Sequence, residues 1–194
     1  NLRIADGWLA SRLTAVLRDA TRDGVPTVTK KARIVVDYSG PNIAKQMHVG
    51  HLRSTIIGAA IVKLLRFVGH DVISDNHLGD WGTQYGLLIV GMRTWGDEQA
   101  LEADPIEELG RVYKLATARA KEEPEFDESA RRELAKLQSG DPENTRVWAH
   151  FVSVTRASLD KMYAELGVEF DEWLGESAYH DMLDGVCTSL VEKG

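Results

Sequence analysis

The chain has 194 residues, 43% of them hydrophobic and 27% charged; that is enough apolar material for a buried core, which excludes a disordered tail and suits one globular domain with extra elements. No apolar run approaches the roughly 20 residues of a membrane span, and the start lacks the basic-then-apolar pattern of a secretory leader, so the sequence reads as soluble and cytoplasmic, with no membrane partner. The formal charge of −7 is uneven: residues 1–70 carry 11 Lys or Arg against 4 Asp, and the rest 12 against 26, so the opening third suits anions without marking a nucleic-acid surface.

In chain order, residues 8–20 place Trp8, Leu9, Leu13, Val16 and Leu17 on one side of a helix. The turn "DGVP" precedes "RIVVDYS", a β-branched run that reads as a buried parallel strand. After a polar loop, Ile56, Ile57, Ala60, Ile61, Leu64, Leu65 and Val68 recur at helical spacing, predicting an amphipathic helix over 51–68 that ends near Gly69. "HDVISD" is a second strand, completing a βαβ unit whose ligands belong beyond the carboxyl ends of the strands. The loop "NHLGDWGTQYG" follows this strand as the first loop follows the first, so their polar residues can share one cleft. The rest turns helical. Asp104 caps a helix with Pro105 at its first position and Glu107 closing a capping box, while Asp141 and Pro142 open another. That last helix carries Trp148, Phe151, Val152, Leu159, Met162, Tyr163 and Leu166 until Gly167 stops it. The single cysteine, Cys187, excludes an internal disulfide and reads as a small buried apolar residue.

The chemistry concentrates in the first loop. In "HVGH", His48 and His51 flank Gly50, which lets backbone approach a ligand, and His51 stands where a helix start leaves N–H groups for anions. Lys45 adds a cation three residues upstream of His48, the role a phosphate-binding lysine plays elsewhere. Neither G-x-x-x-x-G-K-[ST] nor G-x-G-x-x-G occurs; the pattern is a histidine-based phosphate cradle. Zinc is the competing reading, held by His48 and His51 with Asp37, His77 or Asp80, but H-E-x-x-H is missing and the intervening glycine suits backbone approach.

"VVDYSGPNIAKQMHVGHLRSTIIG" followed by "NHLGDWGTQYGLLI" resembles the first half of the catalytic domain of arginyl-tRNA synthetases, class I enzymes with a Rossmann-type core, and "HVGH" corresponds to their HIGH signature. "LQSGDPENTRVWAHFVSVT" and "GESAYHDML" extend the likeness, and "NLRIADGWLASRL" resembles the linker after the family's N-terminal tRNA-contacting domain. The resemblance implies an α/β fold, a partial Rossmann-like parallel sheet with a helical insertion. It divides the chain into a linker (1–30), the first half of the core (31–96), the insertion (97–166) and a return to the core (167–194).

The resemblance also implies ATP-dependent activation of L-arginine and its transfer to tRNA(Arg), by a cytoplasmic monomer of which this chain is a fragment with little activity of its own. His48, His51 and Lys45 take the catalytic positions, and with Gly50 they bind ATP. Asp37, Gly40, Pro41, Asn42 and His51 surround the arginine, with Asn76, His77, Asp80 and Gln84 as a further wall. Magnesium would arrive with ATP, and no metal is held by protein ligands. Gly40 departs from the serine or alanine usual in the family, so no side-chain contact carries over there. A KMSKS-like stretch is absent, as is a helical anticodon-binding domain. Two other readings use the same loops: a non-catalytic nucleotide or amino-acid binding module, and another HxGH nucleotidyltransferase.

Overall fold

A computed structural model describes residues 3–194, so the first two residues of the linker stretch lie outside the description. Helix α1 spans Asp6–Arg18, shifted toward the N-terminus from the expected 8–20. It stops early because the Asp19 carboxylate accepts from the Arg22 N–H at 3.0 Å and the Thr21 and Gly24 N–H groups at 3.3 Å, giving the chain a turn in place of another helical residue. The apolar side of α1 is uncovered, from Trp8 at 55% exposure to Leu17 at 84%.

Strands β1 (Arg33–Asp37) and β2 (Asp71–Asp75) pair in parallel with Val35 opposite Ile73. Helix α2, Val49–Val68, connects them and ends where Gly69 takes φ +104°. The βαβ unit stands as expected, but β1 is not a buried strand. Val35 is 63% exposed because it lies on the face of β1 that it shares with the exposed Arg33 and Asp37, which nothing among the described residues buries. Helix α2 also buries a different face from the one its large apolar residues mark. Thr55, Gly58, Ala59 and Val62 face inward, whereas Ile56, Ile57, Ile61 and Leu64 are exposed. Small residues let the helix sit close: a Cβ on Gly58 would lie 2.2 Å from the Tyr38 ring.

Beyond β2 the chain builds a block from α3 (Gln84–Trp95), α4 (Glu98–Ala103), α5 (Pro105–Glu122), α6 (Pro124–Gln138) and α7 (Pro142–Leu166). Proline occupies the first turn of α5, α6 and α7, where its missing N–H costs no hydrogen bond. Asp104 and Asp141 cap as predicted, accepting from Glu107 N at 3.1 Å and from Asn144 N at 3.0 Å. Glu107 does not close the box on Asp104, because its carboxylate accepts from Gln46 Nε2 at 3.0 Å, tying α5 to the first loop. Leu88, Ile89, Leu101, Leu109, Phe151 and Leu159 fill the shared core.

After Gly167 the chain returns along β2. The Asp171 carboxylate accepts from the Ser74 N–H at 2.7 Å and Ser74 Oγ at 2.8 Å and pairs with Arg66, and Glu172 bridges to Asp75. A 3-10 turn, Glu176–Met182, leads into α8, Leu183–Lys193, which has no buried residue. Cys187 is therefore exposed, correcting the expectation of a buried thiol, because among the described residues nothing buries any side chain of the short helix. Among the described residues no helix is long and apolar enough to cross a membrane.

Candidate functional site

The two loops meet, because both leave the carboxyl edge of one parallel sheet. Gly79 N donates to the Pro41 carbonyl at 3.1 Å, Ile43 N to the Gly79 carbonyl at 3.2 Å, and Gly40 N to Asn76 Oδ1 at 3.1 Å. The approach leaves no room for a side chain at Gly79, where a Cβ would fall 2.0 Å from Asn42 Oδ1. The first loop turns this sharply through left-handed backbone at Ser39 (φ +74°) and Gly40 (φ +60°), and again at Ala44 (φ +63°). At a non-glycine residue that conformation costs on the order of 1–3 kcal/mol, so contacts nearby must hold Ser39 there.

His48 and His51 come together as the sequence predicts, their ring centroids 4.0 Å apart, and they also cap their own helix. His48 Nδ1 accepts from Gly50 N at 3.1 Å, and His51 Nδ1 accepts from His48 N at 3.3 Å, a reciprocal capping box at the start of α2. This amends two expectations. Part of the helix start is spent on the imidazoles and is not all open to an anion. Gly50 is required first by the His48 ring, whose Cε1 would stand 2.8 Å from an added Cβ.

The capping has a chemical consequence. A ring nitrogen that accepts carries no proton, so each neutral imidazole holds its proton on Nε2. Neither Nε2 has a partner among the described residues, so the pair offers two N–H donors side by side. Burial, and after it the neighbouring His48, lower the pKa of His51, which favours the neutral form that the cap needs.

Other predicted residues stand differently. Lys45 is exposed, and its Nζ lies 6.0 Å from the centre of the Tyr113 ring on α5, beside a cleft of about 360 Å³ that Gln46, Glu107 and Lys114 also line. Asp37 is exposed, not the buried acid the sequence suggested; it ends the uncovered edge strand, while Asp75 opposite it is buried and accepts from Leu174 N at 3.1 Å. Pro41 is buried and Asn42 half-buried. Asn76 and Asp80 are not an open wall, because both are buried and already bonded. Asp80 accepts from Ser177 N at 2.9 Å and Ser177 Oγ at 2.7 Å, and its carbonyl takes the Trp148 indole N–H at 2.7 Å. His77 is half-buried, its ring centre 5.5 Å from that of Tyr179. Gln84 folds back, donating to the Trp81 carbonyl at 3.3 Å. Trp81 packs edge-on against Trp148 at 5.6 Å. Among the described residues no three His, Cys, Asp or Glu side chains converge as a metal site.

The sequence reading missed a buried polar cluster behind the first loop. Ser39 Oγ lies 2.6 Å from the Tyr163 hydroxyl and 2.7 Å from Thr55 Oγ1, and Asn76 Nδ2 donates to the same Tyr163 oxygen at 3.2 Å. Tyr163 reads locally as one more apolar position on α7, and no nearby residue signals its partner 124 positions away.

Comparison with known proteins places the chain in a family. The family described as tRNA synthetases class I (R), catalytic domain, matches residues 12–194. An arginine–tRNA ligase of Fusobacterium nucleatum is 43% identical over 193 residues, covering 100% of this chain and 33% of that protein. One of Streptococcus pneumoniae (strain Hungary19A-6) is 41% identical over 185 residues, 95% of this chain and 33% of that protein. The chain thus spans about a third of the length of the curated relatives it matches. Among solved structures, the arginyl-tRNA synthetase of Plasmodium falciparum superposes with a TM-score of 0.68 at 34% identity, over 84% of this chain and 27% of that one. The Thermus thermophilus arginyl-tRNA synthetase gives 0.63 at 24% identity over 87% of this chain and 27% of that one, a likeness of fold.

Proposed function

We propose a function on one premise: the chain belongs to the family of class I tRNA synthetases (R), catalytic domain, which matches residues 12–194. The full-length protein activates L-arginine with ATP and transfers it to tRNA(Arg). In the first step an arginine carboxylate oxygen attacks the α-phosphorus of ATP, the bond to the β-phosphate oxygen breaks, and pyrophosphate leaves. In the second, the terminal adenosine of the tRNA takes the arginyl group and AMP leaves. The observation that carries this reading is the paired imidazoles, each holding its proton on Nε2, at the start of α2.

Such a reaction asks for positioning and for donors aimed at developing charge. His48 and His51 donate from Nε2 to phosphate oxygens, and the Nδ1 bonds hold the rings so that no reorientation is needed as the charge grows. Gly50 keeps the His48 ring against the helix. Lys45 leaves the Tyr113 ring to reach the phosphates. Magnesium would enter with ATP as part of the substrate and offset charge on the phosphates, and no residue of this chain is assigned to hold it. Arginine lies with its backbone groups along Gly40, Pro41, Asn42 and His51 and a cationic group toward Asp37, while His77 and Gln84 border the cleft and Asn76 and Asp80 hold its loop in shape. The function sits in the core segments 31–96 and 167–194, with 97–166 inserted and 1–30 as a linker. The protein is a cytoplasmic monomer, and the 194-residue piece alone has little activity.

The test is ATP–pyrophosphate exchange by the full-length protein with arginine, lysine or citrulline, with and without tRNA. Exchange that depends on arginine and is stimulated by tRNA is expected. A preference for another amino acid overturns the assignment.

A further inference from the structure

Ser39 holds a backbone conformation that a serine avoids, and its φ of +74° sits between β1 and the residues read above as lining the arginine. What holds it is polar and buried. Ser39 N donates to Ser54 Oγ at 2.9 Å instead of to a strand partner, and Ser39 Oγ touches Thr55 Oγ1 at 2.7 Å and Tyr163 Oη at 2.6 Å. Thr55 Oγ1 is also 2.7 Å from the His51 carbonyl oxygen. Tyr163 and Asn76 are buried, and Asn76 spans the two loops, donating from Nδ2 to Tyr163 and accepting from Gly40 N at Oδ1.

The proton count makes Tyr163 the hinge of this set. Its oxygen accepts from Asn76 Nδ2, so its one proton is free for Ser39 Oγ, while Thr55 Oγ1 is placed to donate either to Ser39 Oγ or to the His51 carbonyl. Because Tyr163 accepts from Nδ2, the Asn76 amide is fixed with Oδ1 toward Gly40. A flipped amide would set two donors against each other at Gly40 N. Only the hydroxyl makes these bonds. The ring is held separately, 5.1 Å from Phe170 and 5.8 Å from Trp173.

We infer that Tyr163 is a positioning residue for the amino-acid side of the site, its hydroxyl setting the Ser39–Gly40 corner and the Asn76 amide so that the backbone of Gly40, Pro41 and Asn42 stands ready for the substrate. This rests on the proposed function, because the reaction supplies the readout. It assigns a role within the active site to α7, a helix of the block that also meets the second loop through Trp148.

Three variants of the full-length protein test it: Tyr163→Phe, which keeps the ring packing; Ser39→Gly, which takes the left-handed conformation without strain; and the double variant. In arginine-dependent exchange each single variant raises the KM for arginine about five- to tenfold, the size of one lost hydrogen bond, with the KM for ATP and the melting temperature little changed. The double variant rises no further than Tyr163→Phe alone, because both substitutions break the same contact. An arginine KM within twofold of wild type in both single variants overturns the inference. So does a parallel rise of both KM values with a large fall in melting temperature, the mark of a merely structural role. If the wild-type protein itself shows no arginine-dependent exchange, the functional reading fails and this inference with it; silent variants of an active wild type remove the inference alone.

Discussion

The helical block and the strand-end loops satisfy their polar groups in opposite ways. In the block, most ion pairs are near in sequence: Arg111 pairs with Glu108, Lys136 with Glu133, Arg119 with Glu123 and Arg131 with Asp127, each three or four residues apart, and Arg93 is the exception, reaching Glu133 and Glu143 from 40 and 50 residues away. Asp97, Asp104 and Asp141 cap the helices they precede. In the loops, partners are remote: Gly40 with Asn76 at 36 residues, Ser74 with Asp171 and Asp80 with Ser177 at 97, and Ser39 with Tyr163 at 124. Local pairs form wherever the helix forms and resist disturbance elsewhere. Remote pairs exist only when the whole fold does, so the first loop can hold a left-handed Ser39 that no short segment would keep. The block serves stability, and the loops turn stability into geometry.

That contrast can be broken most forcefully in the block. Phe151→Ala removes a fully buried ring between α7 and its neighbours and should cost about 3–5 kcal/mol, read as a lower urea midpoint, with the KM for arginine unchanged in whatever protein remains folded. A specific rise in that KM would erase the division between the regions.

In the loops the order reverses. His51→Ala in the full-length protein should slow arginine activation by about two to three orders of magnitude, or roughly 3–4 kcal/mol of barrier, while the cap it loses costs only about 1 kcal/mol of stability. His48→Asn sharpens the point, because asparagine is a good N-cap without an Nε2–H: stability should return to near wild type and activity should not. Normal rates in folded variants of both would make the pair a cap and nothing more.

Glu133 tests how far the block depends on charge. Burial alone would push its carboxyl up, but Lys136, Asn144 and Arg93 together hold it at about 2, against an ordinary 4.5. A lowered pKa means the stabilisation is complete above pH 4.5 and is lost as pH falls toward 2. Glu133→Gln should flatten that acid limb and remove on the order of 2 kcal/mol at neutral pH, after allowance for screening at the partly exposed Arg93 and Lys136. An unchanged acid limb, followed by circular dichroism, would assign the loss to other carboxylates. The smallest effect is expected at Asp104→Ala, about 1 kcal/mol from one lost cap, with activity intact.

The sequence by itself determined what depends on near neighbours. The 3.6-residue period, the Asp-Pro starts at 104 and 141, and the glycine stops at 69 and 167 mark helix ends with a residue or two of error. Two strands joined by a helix must be parallel, and parallel strands put both following loops at one edge, so the meeting of "SGPN" with "NHLGDWG" was legible before any coordinates. The spacing of His48 and His51 was enough to bring the rings together, because residues three apart at a helix start share a side.

Tertiary structure alone decided burial and distant partners. The large apolar residues of α2 pointed to the wrong face, since what chooses the inner face is how closely the helix approaches Tyr38, and at Gly58 even a Cβ would come within 2.2 Å of that ring. Asp37 and Asp75 are both carboxylates ending parallel strands, yet one is exposed and one is buried and bonded, because only β2 has residues 171–174 lying against it. The Tyr163 hydroxyl gave no local sign of its role. A side chain's helical period follows from the four residues on either side of it, but its hydrogen-bond partner follows from the path of the whole chain.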